Sequence, residues 1–226
     1  MSLTTKILAS AFALVLAMAG LNFALRHFTD PATLGGHSID PAPVAITIGA
    51  TTLAIPKNII RDKRQRQAGV AQTVDLNFQW PDFNGYNQDS AEIFQDASKQ
   101  DQVIFVSLVK QPPPNTSERR LDGIYRRFFV GKAWRGPDGL IGQALDPSSG
   151  YQAEDVLYAR NNDAIFITRC LQIKEAERSN VFPTCLYDFQ LEENVTVNVR
   201  FHRNLLQHWR EIDTKLKRSL ASMRLQ

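Results

Sequence analysis

Cysteine is scarce in this sequence of 226 residues, and its scarcity excludes two classes of protein. Two cysteines are too few for a disulfide-dense scaffold or for a four-thiolate zinc site. Glycine (12) and proline (11) are too few and too scattered for a collagen-like or low-complexity chain. The net charge is only +3, so charge does not indicate a nucleic-acid partner, and we predict none.

Long hydrophobic runs are also scarce, because only one is long enough to cross a bilayer. Residues Ile7 to Leu25 carry no charge, and as an α-helix they span roughly 28 Å, close to the hydrocarbon thickness of a membrane. A multi-span transporter or channel is therefore excluded. We predict that residues 1–25 form a signal-anchor transmembrane helix. The alternatives are a signal peptide cleaved after Ala17-Met18-Ala19 and a buried core helix.

The rest of the chain reads as a tether followed by one exported domain. Residues 26–43 hold three prolines and a Gly-Gly pair, which predicts a tether, and residues 44–226 form the domain. An even number of cysteines after an export signal favours a disulfide between Cys170 and Cys185, with two unrelated buried thiols as the alternative. The predicted location is the inner membrane, crossed once, with the C-terminal domain in the periplasm.

Apolar residues that alternate with polar ones predict strands in the domain. Val74, Leu76 and Phe78 alternate strictly with polar neighbours, so this strand has one buried side. Residues 195–201 show the same pattern. The other predicted strands are a hairpin around Gly49-Ala50, a continuous apolar run at 103–109 and a hairpin spanning 156–171.

Three helices are predicted, and the last is the clearest. A capping-box spacing opens a short helix from Asp89 to about Ala97, and a second helix runs from Ser117 to Gly131. From Leu205 to Met223 an apolar stripe marks one side of the final helix, with Asp213 and Lys217 on the other side. The predicted fold class is α+β, an antiparallel sheet with a few packed helices, preceded by one N-terminal transmembrane helix.

The sequence also shows two resemblances to known groups of proteins. The order of hairpin, helix, strands and C-terminal amphipathic helix resembles the PsbP/Mog1-like α/β/α sandwich, an architecture of several exported bacterial proteins. The segments TLAIPKNIIR, VDLNFQWPDFNGY and CLYDF are similar to single-pass membrane-anchored bacterial proteins of unknown function. The first resemblance implies an architecture and the second a membrane anchor. Neither implies an activity or a functional residue.

Motifs for catalysis and for metal binding are missing. The sequence has no G-x-S-x-G, H-x-x-x-H, H-E-x-x-H or C-x-x-C, and its four histidines are His27, His37, His202 and His208. The loop Asp82 to Asp89 carries several oxygen-bearing side chains but fails the EF-hand pattern. We therefore predict no catalytic residue, no metal and no cofactor.

Two basic clusters are the candidate contact surfaces. Near an anionic bilayer each exposed cation adds roughly 1 kcal/mol of attraction. The alternatives are a solvated surface balanced by acids elsewhere and a surface that contacts a protein partner. The candidate residues are Lys57, Arg61, Lys63, Arg64, Arg66, Arg119, Arg120, Arg126 and Arg127.

The functional prediction combines the anchor with the lack of catalytic motifs. We predict a membrane-anchored exported binding or scaffolding domain of the bacterial cell envelope, with envelope proteins or anionic lipid as its partners. An exported hydrolase-like enzyme with an unrecognised site is the alternative from another class. A third hypothesis is a cytoplasmic domain on an anchor of the opposite orientation. In that compartment both thiols would be free.

Overall fold

The described residues form eleven strands, which are arranged in two sheets. A computed structural model describes residues 36–111, 117–151, 153–161 and 164–225. The small sheet has the order β2-β1-β3, in which β1 runs antiparallel to β2 and parallel to β3. Its strands are β1 Pro43–Ile48, β2 Thr51–Pro56 and β3 Gly69–Ala71.

The large sheet has the order β4-β5-β11-β10-β9-β8-β7-β6, and every neighbouring pair is antiparallel. Six consecutive strands, β6 to β11, form a meander, and β11 then pairs with β5, which pairs with β4. The strands are β4 Thr73–Gln79, β5 Val103–Lys110, β6 Phe129–Arg135, β7 Ile141–Leu145, β8 Glu154–Asn161, β9 Ala164–Leu171, β10 Thr184–Glu192 and β11 Val195–His202.

Four α-helices accompany the sheets in the described part of the chain: α1 Ala91–Gln95, α2 Ser117–Gly123, α3 Ile173–Ser179 and α4 Trp209–Ser222. The predicted α+β class with a large antiparallel sheet and a few helices is thus confirmed. Within the described ranges no helix is both long and apolar enough to cross a bilayer. The predicted anchor, residues 1–25, and the tether up to residue 35 lie outside those ranges.

The main core lies between the two sheets and α4. Trp209, Ile212, Leu216 and Leu220 of α4 are all fully buried, which confirms the apolar stripe predicted for this helix. They belong to one cluster with buried residues of β1, β2, β4, β5, β10 and β11. Burying one such large side chain contributes roughly 1.5–3 kcal/mol, so this layer is the largest source of hydrophobic stabilisation.

A second, smaller core covers part of the opposite side of the large sheet. Leu121 of α2 and Tyr125, in the turn that follows, pack against Leu145, Val156 and Ile167 of β7, β8 and β9. This layer stops at β9. The outward side of β4, β5, β10 and β11 is therefore left open beside α2.

Several predicted elements differ from the observed ones. The predicted helix from Ser117 ends at Gly123, and a 3-10 turn and β6 follow. The predicted short helix begins after Ser90 rather than Asp89, and the Ser90 side chain makes no capping hydrogen bond; the Ser90 N–H instead donates to Asn87 Oδ1 at 2.9 Å. Asp213 is only 3% exposed, so the prediction that it lies on the solvent side of the last helix was wrong.

The last residues of the predicted tether contact the domain. The His37 ring stacks on Tyr86 with 4.6 Å between ring centroids. Asp40 Oδ2 lies 2.9 Å from Lys57 Nζ. Burial lowers the pKa of His37 below its usual range, and the charge of Arg66 lowers it further. The chain is therefore fixed to the domain from His37 onward, ahead of β1.

The predicted disulfide is confirmed. Cys170 on β9 is bonded to Cys185 on β10, and the two residues lie directly opposite each other in the strand register. Both are fully buried. The bond thus joins two neighbouring strands in the middle of the large sheet.

Candidate functional site

An open cavity of about 320 Å³ lies on the outward side of the large sheet, beside α2. Its floor comes from β4, β5, β9, β10 and β11, and its walls come from Arg61 on one side and from Arg120 and Tyr125 on the other. This volume is within the range of small-ligand pockets, and it is also large enough for one or two side chains of a docked protein.

The strand register places the floor residues in two rows. In the first row, Asn77 on β4 faces Phe105 on β5, and Phe105 faces Arg200 on β11. Leu186 on β10 and Arg169 on β9 continue this row. Because side chains alternate along a strand, all five point to the same side of the sheet, away from the main core.

The second row lies two residues along each strand. It contains Asp75, Ser107, Asn198 and Asp188, on β4, β5, β11 and β10 in that order. Ser107 Oγ donates a hydrogen bond to Asp75 Oδ1, and Gln65 Nε2 donates to Asp75 Oδ2 at 3.3 Å. The Asp75 carboxylate is therefore already engaged, while the exposed Asn198 side chain is left facing the cavity.

Four arginines line the cavity, and two of them have acidic partners. Arg120 forms a salt bridge with Asp188, and Arg169 Nη1 lies 2.7 Å from Glu154 Oε2. Both pairs are mostly shielded from water, with side chains 17% to 28% exposed. These two cations are thus neutralised within the domain.

The other two arginines, Arg61 and Arg200, share one aromatic ring. Arg200 Cζ lies 4.7 Å and Arg61 Cζ 5.6 Å from the centroid of the Phe105 ring, within the range of cation–π contacts. In the described part of the chain neither has a carboxylate within salt-bridge distance. Partial burial lowers the pKa of Arg200, and the neighbouring charge of Arg61 lowers it further.

Three buried polar atoms at this site have no hydrogen-bond partner among the described residues: Asn77 Oδ1, Arg120 Nε and Asp188 Oδ2. An unpaired buried polar group costs about 1–3 kcal/mol, so most folded proteins avoid it. Two of the three atoms, Arg120 Nε and Asp188 Oδ2, belong to the Arg120–Asp188 salt bridge, so the three form one polar cluster beside the cavity.

The structure brings together one member of each predicted basic cluster. Arg61 and Arg120, far apart in sequence, both line the cavity. Lys63, Arg119 and Arg127 are exposed elsewhere. Contact with anionic lipid stays a prediction for these clusters. Among the other members, Lys57 pairs with Asp40, Arg64 with Asp62 and Arg126 with Asp122, while Arg66 donates to the Ile60 carbonyl oxygen.

Sequence reasoning missed most of the cavity. Arg169, Arg200 and Asp188 were not among the candidate residues, nor were Asn77 and Asn198. The sequence does show which residues of an alternating strand are polar. That pattern predicts only that their side chains face away from the core. The two rows arise from the register between strands distant in sequence.

Two further findings concern the residues that were considered for metal binding and for catalysis. Within the described ranges no three His, Cys, Asp or Glu side chains are grouped so as to hold a metal ion. His202 Nδ1 accepts the Asn204 N–H at 3.2 Å and so caps the turn before α4. The His208 ring packs against Trp80 with centroids 5.2 Å apart. The contacts seen for these two histidines are therefore structural.

Comparison with known proteins gives a fold but no family. No protein-family model and no curated protein matches the chain. An immunity protein of the Stenotrophomonas maltophilia type IV secretion system is similar in structure, with a TM-score of 0.59 and 16% identity over 86% of this chain and 98% of that one. The iron-regulated outer membrane lipoprotein FrpD of Neisseria meningitidis has a TM-score of 0.50 and 12% identity over 83% of this chain and 94% of its own. At these identities the likeness concerns the fold alone.

Proposed function

We propose that this chain is a membrane-anchored, exported domain of the bacterial cell envelope that binds a partner protein, without catalysing a reaction. The observation that carries the proposal is the open cavity. It combines two arginines lacking acidic partners, the aromatic ring that both of them contact and an exposed Leu186. Arginine and aromatic side chains are the residue types that contribute most at protein interfaces.

Three observations support the location. The first is the Cys170–Cys185 disulfide, because disulfides form and persist mainly in oxidising compartments such as the periplasm. The apolar run Ile7 to Leu25 has the length of a single membrane anchor, with residues 26–36 as a spacer ahead of the domain. The two similar structures are described as a secretion-system immunity protein and an outer membrane lipoprotein, and both descriptions agree with a place in the envelope.

The shape of the site favours a protein over a small substrate. Arg61, Arg200, Asn198 and Leu186 are all exposed, so water reaches the cavity from the open side of the sheet. An enzyme site usually encloses its substrate and excludes water. A protein partner would cover this open side and complete the enclosure.

In-cell photo-crosslinking tests the proposal. A photoreactive amino acid is placed at Asn198 in the full-length chain, in the cells that carry its gene, and a control chain carries it at Thr214, which is exposed on α4 on the other side of the sheet. We expect one or a few defined protein adducts from position 198, in the membrane fraction, and none of these from position 214. Adducts that are equal at both positions, or absent from position 198, would contradict the proposal.

A further inference from the structure

Arg61 and Arg200 are two cations that contact the same aromatic ring, and neither forms a salt bridge in the described part of the chain. Both guanidinium groups lie over the Phe105 ring, and each Cζ is within 6 Å of its centroid, at 5.6 and 4.7 Å. The two aspartates of the cavity are engaged elsewhere, Asp188 by Arg120 and Asp75 by Ser107 and Gln65. Arg120 is paired with Asp188 and Arg169 with Glu154, so the remaining charges of the site are those of Arg61, Arg200 and Asp75, a formal excess of one positive charge.

This arrangement is unfavourable until an anion arrives. Like charges at close range repel, and partial burial beside Phe105 weakens the screening by water. The lowered pKa of Arg200, caused first by burial and then by Arg61, has the same origin. A carboxylate between the two guanidinium groups would remove the repulsion and accept hydrogen bonds from both, in the geometry that guanidinium and carboxylate share.

We propose that the pair Arg61 and Arg200 is a receptor for an aspartate or glutamate side chain of the partner protein, with Phe105 as the platform beneath it. This inference rests on the proposed function, because it names the chemistry by which the same cavity recognises its partner. Leu186 and Asn198, exposed next to the pair, would contact the residues that flank the acidic side chain.

A carboxylate on a protein fits the site better than a free carboxylate does. Arg61 and Arg200 both reach the exposed side of the cavity in the free domain, where water screens most of their attraction for a single small anion. A small free acid would therefore be held weakly. A docked protein covers the cavity, excludes water and supplies apolar contacts around the ion pair, so the same arginines contribute more.

The test extends the crosslinking from Asn198 with three variants of the full chain. Arg61→Gln and Arg200→Gln remove one charge each, and Arg218→Gln removes an exposed charge on α4 as the matched control. We expect each cavity variant to lower the adduct yield about tenfold or more, the usual scale for a central interface arginine, while the control leaves the yield unchanged.

Charge reversal identifies the carboxylate itself. Once the adduct has been mapped on the partner, each aspartate or glutamate near the crosslink is changed to arginine. We expect one such change to abolish the adduct with the unaltered chain and to restore it with Arg200→Glu. Adducts that persist in Arg61→Gln and Arg200→Gln would overturn the inference while leaving the proposed function standing. Absence of any adduct from position 198 would overturn both.

Calorimetric titration of the full chain in detergent with N-acetylglutamate distinguishes a free acid from a protein-borne one. We expect no saturable binding below about 1 mM, because the open site holds a single carboxylate weakly. Saturable binding below that concentration, lost in Arg200→Gln, would overturn the inference in favour of a small-molecule site.

Discussion

Arg203 and Asp155 form a buried ion pair at the end of β11, with Arg203 Nη2 2.8 Å from Asp155 Oδ2. Arg203 Nη1 also donates to the Leu171 carbonyl oxygen at 2.8 Å, and Gln172 Nε2 donates to Asp155 Oδ1 at 3.1 Å. The two side chains are only 15% and 11% exposed. The pair therefore joins β8, the end of β9 and the segment that leads into α4.

Replacement of Arg203 should destabilise the domain strongly. Arg203→Met leaves the Asp155 carboxylate buried without its cation, and breaking a buried pair in this way costs about 3–5 kcal/mol. The free energy of unfolding, measured by urea denaturation of the full chain in detergent, checks this value. Adding Asp155→Asn to Arg203→Met should recover part of the loss, because the uncompensated charge is then removed.

An exposed pair supplies the control for this experiment. Arg178 forms a salt bridge with Glu175 on α3, and its side chain is 73% exposed. Arg178→Gln should change the free energy of unfolding by less than about 0.5 kcal/mol, because water screens such a pair. Equal losses from Arg178→Gln and Arg203→Met would contradict the role given to burial.

The disulfide gives a prediction about both stability and location. Cys170 and Cys185 are separated by 15 residues, and closing a loop of that length stabilises a fold by roughly 3 kcal/mol in the chain-entropy model. Replacing both cysteines with alanine should lower the free energy of unfolding by about that amount. When cells are lysed in denaturant that contains an alkylating reagent, neither thiol should react until a reductant is added, as mass spectrometry would show. Complete alkylation without reductant would contradict the periplasmic location.

The sequence predicts those elements whose pattern is local. Leu216 and its neighbours on the last helix repeat at helical spacing, and Val74, Leu76 and Phe78 alternate on β4, so both elements were predicted. β7 and α3 lack such a pattern. β7 has only five residues with no strict alternation, and α3 buries only Ala176, so neither shows an apolar period.

The candidate site could not be predicted because it depends on strand pairing. Arg200 faces Phe105 and Phe105 faces Asn77 only because β11 lies beside β5 and β5 beside β4. A shift of one residue in either register would turn these side chains to the other side of the sheet. Local alternation predicts that Asn77 and Arg200 face away from the core, but it does not predict that they meet.

The burial of Leu216 leads directly to a prediction about the free energy of unfolding. Leu216→Ala removes a fully buried side chain between α4 and the sheets and should cost about 2–5 kcal/mol in the free energy of unfolding. Arg218→Ala, two residues along the same helix and exposed, should cost less than about 0.5 kcal/mol. Urea denaturation of both variants checks the difference. Similar losses would mean that α4 packs through another side.

Lys217 should contribute more to the stability of the domain than its exposed position on α4 indicates. Its Nζ lies 2.8 Å from Asp213 Oδ2, and the Asp213 side chain is only 5% exposed. Lys217→Ala removes the nearest cation from a buried carboxylate and should cost about 1–3 kcal/mol rather than the small amount expected of a surface lysine. Asp213→Asn in the Lys217→Ala background should restore part of the stability. A loss from Lys217→Ala as small as that from Arg218→Ala would contradict this view of the pair.

His202 links the stability of the domain to pH. Burial lowers the pKa of its imidazole below the usual value of about 6.5, and the charge of Asp101 opposes that shift only in part. In its neutral form Nδ1 accepts the Asn204 N–H, which a protonated Nδ1 cannot do. Between the lowered pKa and about 6.5 the unfolded chain binds more protons than the folded one, so stability rises with pH in that window.

The free energy of unfolding should therefore be constant above about pH 7 and fall as the pH is lowered from about 6.5. His202→Asn keeps an oxygen that can cap the Asn204 N–H but removes the titrating group, so it should flatten part of this pH dependence. His37, whose pKa burial also lowers, contributes in the same direction, and His37→Gln in the His202→Asn background should remove much of the remainder. Urea denaturation of the full chain at several values between pH 5.5 and pH 7.5 provides the measurement. A free energy of unfolding that increases on acidification in the unaltered chain, or that falls equally in the double variant, would show that neutral imidazoles do not stabilise the fold.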